Sequence, residues 1–144
     1  MKWLRQALAQ GRIARRELGR LGERRAAWFY RLRGYRIVGR NLRLRSGEVD
    51  LLVRRGRTLV VVEVKTRNTH TALAGHDAVD RAKRDRLIRL GDDCIARYAG
   101  GASMLRYDIV SVEWNGWRCI LSHFPDAFRA NSDPRRPWLL RSGI

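Results

Sequence analysis

The run Thr58-Leu59-Val60-Val61-Val62-Glu63-Val64-Lys65 leaves little choice of local structure. Half of it is valine, whose branched Cβ suits a pleated strand and crowds a helix. Ahead of it, Glu48 to Val53 reads as another strand, with Arg54-Arg55-Gly56-Arg57 as a tight turn around its glycine. Further back, Tyr35 to Arg45 sets Ile37, Leu42 and Leu44 among arginines, as a half-buried strand does, and Ser46-Gly47 reads as the intervening turn. The pattern predicts a meander of three strands.

Helices are expected before and after it. From about Arg12 to Leu32 there is no proline, and Leu18, Leu21, Phe29 and Leu32 recur near the helical period until Gly34 stops them. Val79, Leu87, Leu90, Cys94 and Tyr98 mark a second helix that Gly100-Gly101 ends. Leu105 to Glu113 reads as a fourth strand, and Asn115-Gly116 as the hairpin turn to a fifth strand ending near Ser122. The order helix, three strands, helix, two strands predicts a single α/β domain with a mixed sheet flanked by helices. Residues 1–15 read as a basic extension, 16–128 as the domain and 129–144 as a basic tail containing Pro134 and Pro137, with weak order expected from about Pro125 onward.

Charge narrows the partners. The chain carries 31 Lys+Arg against 14 Asp+Glu, a net +17. Residues 1–72 hold 19 basic and 5 acidic side chains, so the positive field belongs to the first half. Such an excess on a folded domain points to a polyanion, because each phosphate neutralised by Lys or Arg releases a counterion. Nucleic acid is the leading candidate; ribosomal RNA or an acidic protein surface is a weaker one. No run approaches the roughly 18 apolar residues of a membrane span, and Arg5, Gln6 and Gln10 interrupt the start, where a secretory signal needs about 7 to 15 continuous apolar residues. A cytoplasmic protein without a membrane partner is expected. Cys94 and Cys119 form no metal or disulfide spacing, and His70, His76 and His123 read as ordinary polar residues. Trp3, Trp28, Trp114, Trp117 and Trp138 are expected to divide between core and tail.

Glu48, Asp50 and Glu63 stand out in this basic setting. A turn centred on Arg55-Gly56 would pair Asp50 with Val61 and Glu48 with Glu63, leaving Glu48, Asp50, Glu63 and Lys65 on one face. Like charges that close need something positive between them. One solution is a divalent metal such as Mg²⁺, which takes a few carboxylates, keeps several waters and shares its shell with phosphate. The other is a set of ion pairs with neighbouring cations, and spacing alone leaves both open. Lys65 is one of three lysines in the chain, and an ammonium can hold or help deprotonate a water as guanidinium cannot. Glu23, sharing a helical face with Gly19, Ala26, Ala27 and Tyr30, either reaches such a site or pairs with Arg20. Lys83 on the second helix either snorkels to solvent or contacts phosphate.

Gly47-Glu48-Val49-Asp50-Leu51-Leu52 followed by Val61-Val62-Glu63-Val64-Lys65-Thr66-Arg67 resembles the signature of the YraN-type family of uncharacterised bacterial proteins. The likeness spans about Gly19 to Phe128 and takes in Leu21-Gly22-Glu23, Asn41, Lys83 and Arg106-Tyr107-Asp108-Ile109-Val110. That family in turn resembles the PD-(D/E)xK superfamily of restriction-endonuclease-like fold, and within it the archaeal Holliday junction resolvases. The resemblance implies a Mg²⁺- or Mn²⁺-dependent endonuclease acting on DNA, selective for structure rather than sequence, and a homodimer as in the resolvases. It implies Glu23, Asp50, Glu63 and Lys65 as the catalytic set. Asp50, Glu63 and the Val64 carbonyl would hold the metal, Lys65 the water, and Glu23 would assist. Arg43, Arg45, Arg67 and Lys83 are the expected nucleic-acid contacts. No proline precedes Asp50, a departure from the superfamily's eponymous motif. The alternative is a nucleic-acid-binding accessory protein of the same fold whose acids are structural.

Overall fold

The computed structural model describes Lys2, Gln6 and residues 15–68, 81–115 and 117–127. In chain order they form α1 (Arg15–Leu32), β1 (Arg36–Leu44), β2 (Gly47–Arg55), β3 (Thr58–Asn68), α2 (Arg81–Tyr98), β4 (Met104–Asn115) and β5 (Arg118–Phe124). This is the expected α/β order. The five strands lie in one sheet in the order β1-β2-β3-β4-β5. Only β3 and β4 run parallel, and a parallel pair needs a crossover, here α2. No helix among the described residues is long and apolar enough to cross a membrane.

The valine run is β3, the central strand, and its alternation builds two cores. Val60 and Val62 join Leu51, Val53, Val110 and Val112 under Ala26, Ala27 and Tyr30 of α1. Leu59 and Val61 join Leu52, Leu105 and Tyr107 under Leu87, Leu90 and Cys94 of α2. A strand covered on both faces reads as an unbroken apolar run, which is why β3 lacks the polar alternation of β1.

The end of α1 is tied with unusual completeness. Gly34 takes φ +78°, the left-handed conformation a helix stop needs. The Gly34 N–H donates to the Arg31 carbonyl and the Tyr35 N–H to the Tyr30 carbonyl, both at 3.0 Å, which is a Schellman motif. Its hydrophobic contact is the edge-to-face pair of Tyr30 and Tyr35, with ring centroids 5.1 Å apart. The helix therefore meets the sheet in one register.

Several boundaries differ from expectation. The β2–β3 hairpin closes at Arg55↔Thr58 with Gly56-Arg57 as its two-residue loop, because Gly56 supplies the positive φ, +58°, at the first central position. Val61 consequently pairs with Leu52 and not Asp50, while Glu48 faces Arg43 on β1 and not Glu63. A shift of two leaves the face of every β3 side chain unchanged. The β4–β5 hairpin closes at Asn115↔Arg118, one residue later than a turn centred on Asn115-Gly116, and β5 runs on to Phe124. Pro125 to Ala127 do not begin a loose tail, since the Ala127 N–H donates to the Tyr107 carbonyl at 2.8 Å. Trp114 is buried, but Trp28 and Trp117 belong to neither core nor tail, being 55% and 58% exposed. Arg12, Val79, His70, His76, Gly116, Trp3 and Trp138 lie outside the described residues, as do residues 1, 3–5 and 7–14 of the expected extension, residues 69–80, the tail 128–144 and the side chain of Lys83.

Candidate active site

The ladder between β2 and β3 runs from Arg55↔Thr58 to Leu51↔Val62 and goes no further. Beyond it the two strands diverge, and Asp50 sits at the opening. Its Oδ2 accepts the Val64 N–H at 2.8 Å, taking the place a backbone carbonyl would have held. Because the N–H and C=O of a strand residue face the same edge, the Val64 carbonyl is directed into this opening as well. On the other side of Asp50, Asn41 of β1 adopts φ +49°, a kink that lets β1 and β2 bend together. The bend shows in the packing: Leu51 belongs to the α1 core, whereas Val49, two residues earlier, belongs to the α2 core.

Glu63 and Lys65 follow on β3. Lys65 Nζ lies 2.6 Å from Glu63 Oε1, with side chains 38% and 13% exposed, and Glu63 Oε2 is buried. The pairing with a neighbouring cation that the sequence left open is thus formed along one strand. Glu23 arrives from α1 because Gly22 lets the helix close onto β3. A Cβ placed on Gly22 would stand 1.9 Å from Thr66 Oγ1. Gly19, on the helical face expected to carry Glu23, has nothing within 4 Å of its corresponding position. Glu23 Oε2 then accepts a hydrogen bond from Asn41 Nδ2 at 2.9 Å, so one asparagine both bends β1 and holds the helical carboxylate.

The electrostatics converge on Asp50. Burial pushes its carboxyl above the ordinary carboxylate range, the Val64 N–H opposes this, Glu23 and Glu63 push it further up, and Lys65 lowers it. Glu23, Glu63 and Lys65 therefore all act on one carboxylate, whereas Glu48 is exposed on the outer hairpin. Among the described residues no three His, Cys, Asp or Glu side chains stand at metal-ligand spacing. Mg²⁺ does not require such a cage, because it is held by one or two carboxylates, waters and substrate phosphate. Asp50, Glu63 and the Val64 carbonyl offer hard oxygens of that kind, and excess negative charge at Asp50 is the condition a cation relieves.

The face bearing Glu63 and Lys65 extends across the sheet. Ladder partners share a face, so Glu63, Ile109 and Phe124 form one row and Lys65, Ser111 and Ser122 the next. Arg67, two residues beyond Lys65, heads a third row with Glu113 and Ile120. Arg43 and Arg45 are exposed on the β1–β2 hairpin near Glu48. Lys83 lies in the first turn of α2.

The opposite face holds a second polar cluster that the pattern of the sequence did not bring together. Asp108, 2% exposed, accepts hydrogen bonds from Tyr30 Oη at 2.7 Å, from Arg106 Nε and Nη2 at 2.8 Å each, and from the Asp126 N–H at 3.1 Å. His123 Nε2 lies 2.8 Å from Asp108 Oδ2 and 3.2 Å from Tyr30 Oη, so His123 is not an ordinary surface residue. Burial by itself would raise the Asp108 carboxyl, but the bonds from Arg106, Tyr30, His123 and Asp126 outweigh it and hold it low. The cluster pins α1 to β4, β5 and the segment after β5. An aspartate between Tyr107 and Ile109 in an apolar strand was its one visible signal, since a buried acid requires partners.

The sequence model of the Uncharacterised protein family UPF0102 matches residues 22–112. The chain belongs to that family. UPF0102 proteins of Rhizorhabdus wittichii and Symbiobacterium thermophilum are each 45% identical to it, over 107 residues (74% of this chain, 87% of the relative) and 98 residues (68% and 83%). One from Anaeromyxobacter dehalogenans is 37% identical over 120 residues, 83% of this chain and 90% of its own. The matched span of this UPF0102 chain runs from Gly22 to Val112, and so includes Glu23, Asn41, Asp50, Glu63, Lys65 and Asp108.

Proposed function

We propose that this UPF0102 protein is a Mg²⁺- or Mn²⁺-dependent endonuclease that hydrolyses DNA phosphodiesters, selects structure over sequence, and serves recombination, repair or DNA processing in the cytoplasm. The observation that carries the reading is the place of Asp50 in the β2–β3 opening, its Oδ2 on the Val64 N–H at 2.8 Å, where burial first and then the neighbouring Glu23 and Glu63 push its carboxyl up. Surplus negative charge at one partly buried carboxylate destabilises the fold, and functional sites are where such costs are kept.

Asp50, Glu63 and the Val64 carbonyl would hold the cation, which supplies an acidified water and neutralises charge building on the phosphate. Phosphate entering the site draws Lys65 from its 2.6 Å contact with Glu63. Lys65 would then hold the attacking water, and Glu23, held by Asn41, would assist the cation through its waters. Arg43, Arg45, Arg67 and Lys83 bind flanking phosphates.

A non-catalytic binding protein is the second reading, favoured by the direct Glu63–Lys65 ion pair, in which each charge already has its counterion. Incubation with labelled single-stranded, duplex and four-way-junction DNA, with Mg²⁺, Mn²⁺ or EDTA, separates the two. A nuclease cuts with metal and loses cutting but not binding in Asp50→Ala. Binding without cutting by either protein supports the accessory reading.

A further inference from the structure

The face that carries Glu63 and Lys65 continues over β4 to β5, past the reach of α2, whose core extends on β4 only to Leu105 and Tyr107. Along β5 this leaves Ile120 54% and Phe124 44% exposed, with the half-buried Ser122 between them. At the β4–β5 hairpin, Trp117 is 58% exposed and the Arg118 guanidinium lies 5.4 Å from its ring centroid. Exposed apolar side chains gathered along one strand mark a binding surface, where scattered ones do not.

Its occupant must offer flat apolar faces to Phe124 and Trp117, accept a guanidinium, suit a chain of net charge +17, and lie next to the carboxylates. A duplex presents phosphate and sugar there, with its bases already stacked on one another. An unpaired strand presents base faces together with phosphates, which is how aromatic side chains on basic surfaces bind single strands. The sheet fixes the scale. Phe124 stands two strand spacings from Glu63, about 10 Å, and the six steps from Arg118 to Phe124 cover about 20 Å. At about 3.4 Å per stacked nucleotide, a base on Phe124 lies about three nucleotides from the phosphate at Glu63.

We propose that the β5 face and the Trp117–Arg118 hairpin form a bed for an unpaired nucleic-acid strand, with Phe124 and Trp117 stacking its bases beside the Asp50–Glu63–Lys65 site. The bed deepens the nuclease reading by naming its substrate class, DNA with a single-stranded stretch, and rests on that reading only for the cutting step.

Binding is measured in EDTA, which separates it from cleavage, by fluorescence anisotropy of labelled oligothymidine and of a blunt duplex of equal length. Phe124→Ala and Trp117→Ala should each weaken oligothymidine binding about 5- to 150-fold, the equivalent of about 1–3 kcal/mol per stacked base. Duplex affinity should not change, and Trp117→Phe should retain tight oligothymidine binding. Equal losses on both DNAs, or no loss on either, overturn the bed. So does sedimentation showing a wild-type dimer that Phe124→Ala dissociates, because a second copy then covers the face. If the wild type binds single strands through these residues yet never cuts DNA, the bed stands and the nuclease reading falls.

Discussion

Gly22→Ala probes how α1 delivers Glu23. The added Cβ would stand 1.9 Å from Thr66 Oγ1 and 2.9 Å from both Thr66 Cβ and Cγ2, far inside van der Waals contact. Thr66 is a short, branched residue whose Oγ1 is buried, so it cannot swing clear, and the helix must lift. Overpacking of this kind costs typically about 1–3 kcal/mol, and the severity of the clash argues for the upper end. Alanine returns about 1 kcal/mol in helix propensity. The net loss of about 2 kcal/mol corresponds to about 6 °C in melting temperature for a domain of this size. Thr66→Ala removes Oγ1 and Cγ2 and leaves only the Cβ contact at 2.9 Å, so in that background Gly22→Ala should lose most of its cost, a coupling well above the about 0.5 kcal/mol scatter of independent sites. Chemical denaturation of the four proteins in this cycle provides the test. Equal destabilisation by Gly22→Ala with and without Thr66→Ala would refute the close approach of α1 to β3.

Other outcomes follow from the two acid clusters. Asp50→Asn should raise stability at neutral pH, measured in EDTA, by on the order of 1 kcal/mol, and should abolish cleavage when Mg²⁺ is supplied. The sign follows from the raised folded-state carboxyl: Asp50 favours folding below its unfolded value and loses that contribution as pH rises through its folded value, so the gain from Asn should vanish in acid. Thermal melts across pH check this. Asp108 has the opposite sign, since its depressed carboxyl stabilises the fold above its ordinary value of about 3.9 and loses that contribution as pH falls through its folded value. Asp108→Asn should cost about 3 kcal/mol at neutral pH in urea denaturation and flatten the acid limb of the stability profile. Asn41→Gly keeps the positive φ while removing the amide held by Glu23, so it should leave the melting temperature near wild type but slow cleavage roughly tenfold, as loss of one hydrogen bond of about 1.4 kcal/mol would.

The order of elements is legible because punctuation and apolar runs coincide: Gly34 and Gly100-Gly101 stop the helices, and four valines declare β3. Glu23, Asp50, Glu63 and Lys65 are legible because acids and a lysine stand out in an arginine-rich background. The hairpin register is not, since Arg55-Gly56 and Gly56-Arg57 are equally plausible turn centres and only the glycine's place in the turn decides. Nor is the divergence of β2 from β3, which depends on a side chain, Asp50, replacing a ladder carbonyl. The Asp108 cluster is least legible of all. Tyr30 lies 78 residues from Asp108 and 93 from His123, so no local pattern brings them together.

The most direct test of the proposed centre is the single-turnover rate of Mg²⁺-dependent cleavage of a junction bearing single-stranded arms, compared between wild type and Asp50→Asn. The expected result is metal-dependent cutting by the wild type and none above background by a variant that is folded and no less stable. Cutting by Asp50→Asn at the wild-type rate, or no cutting by the wild type on any metal and substrate offered, would contradict it.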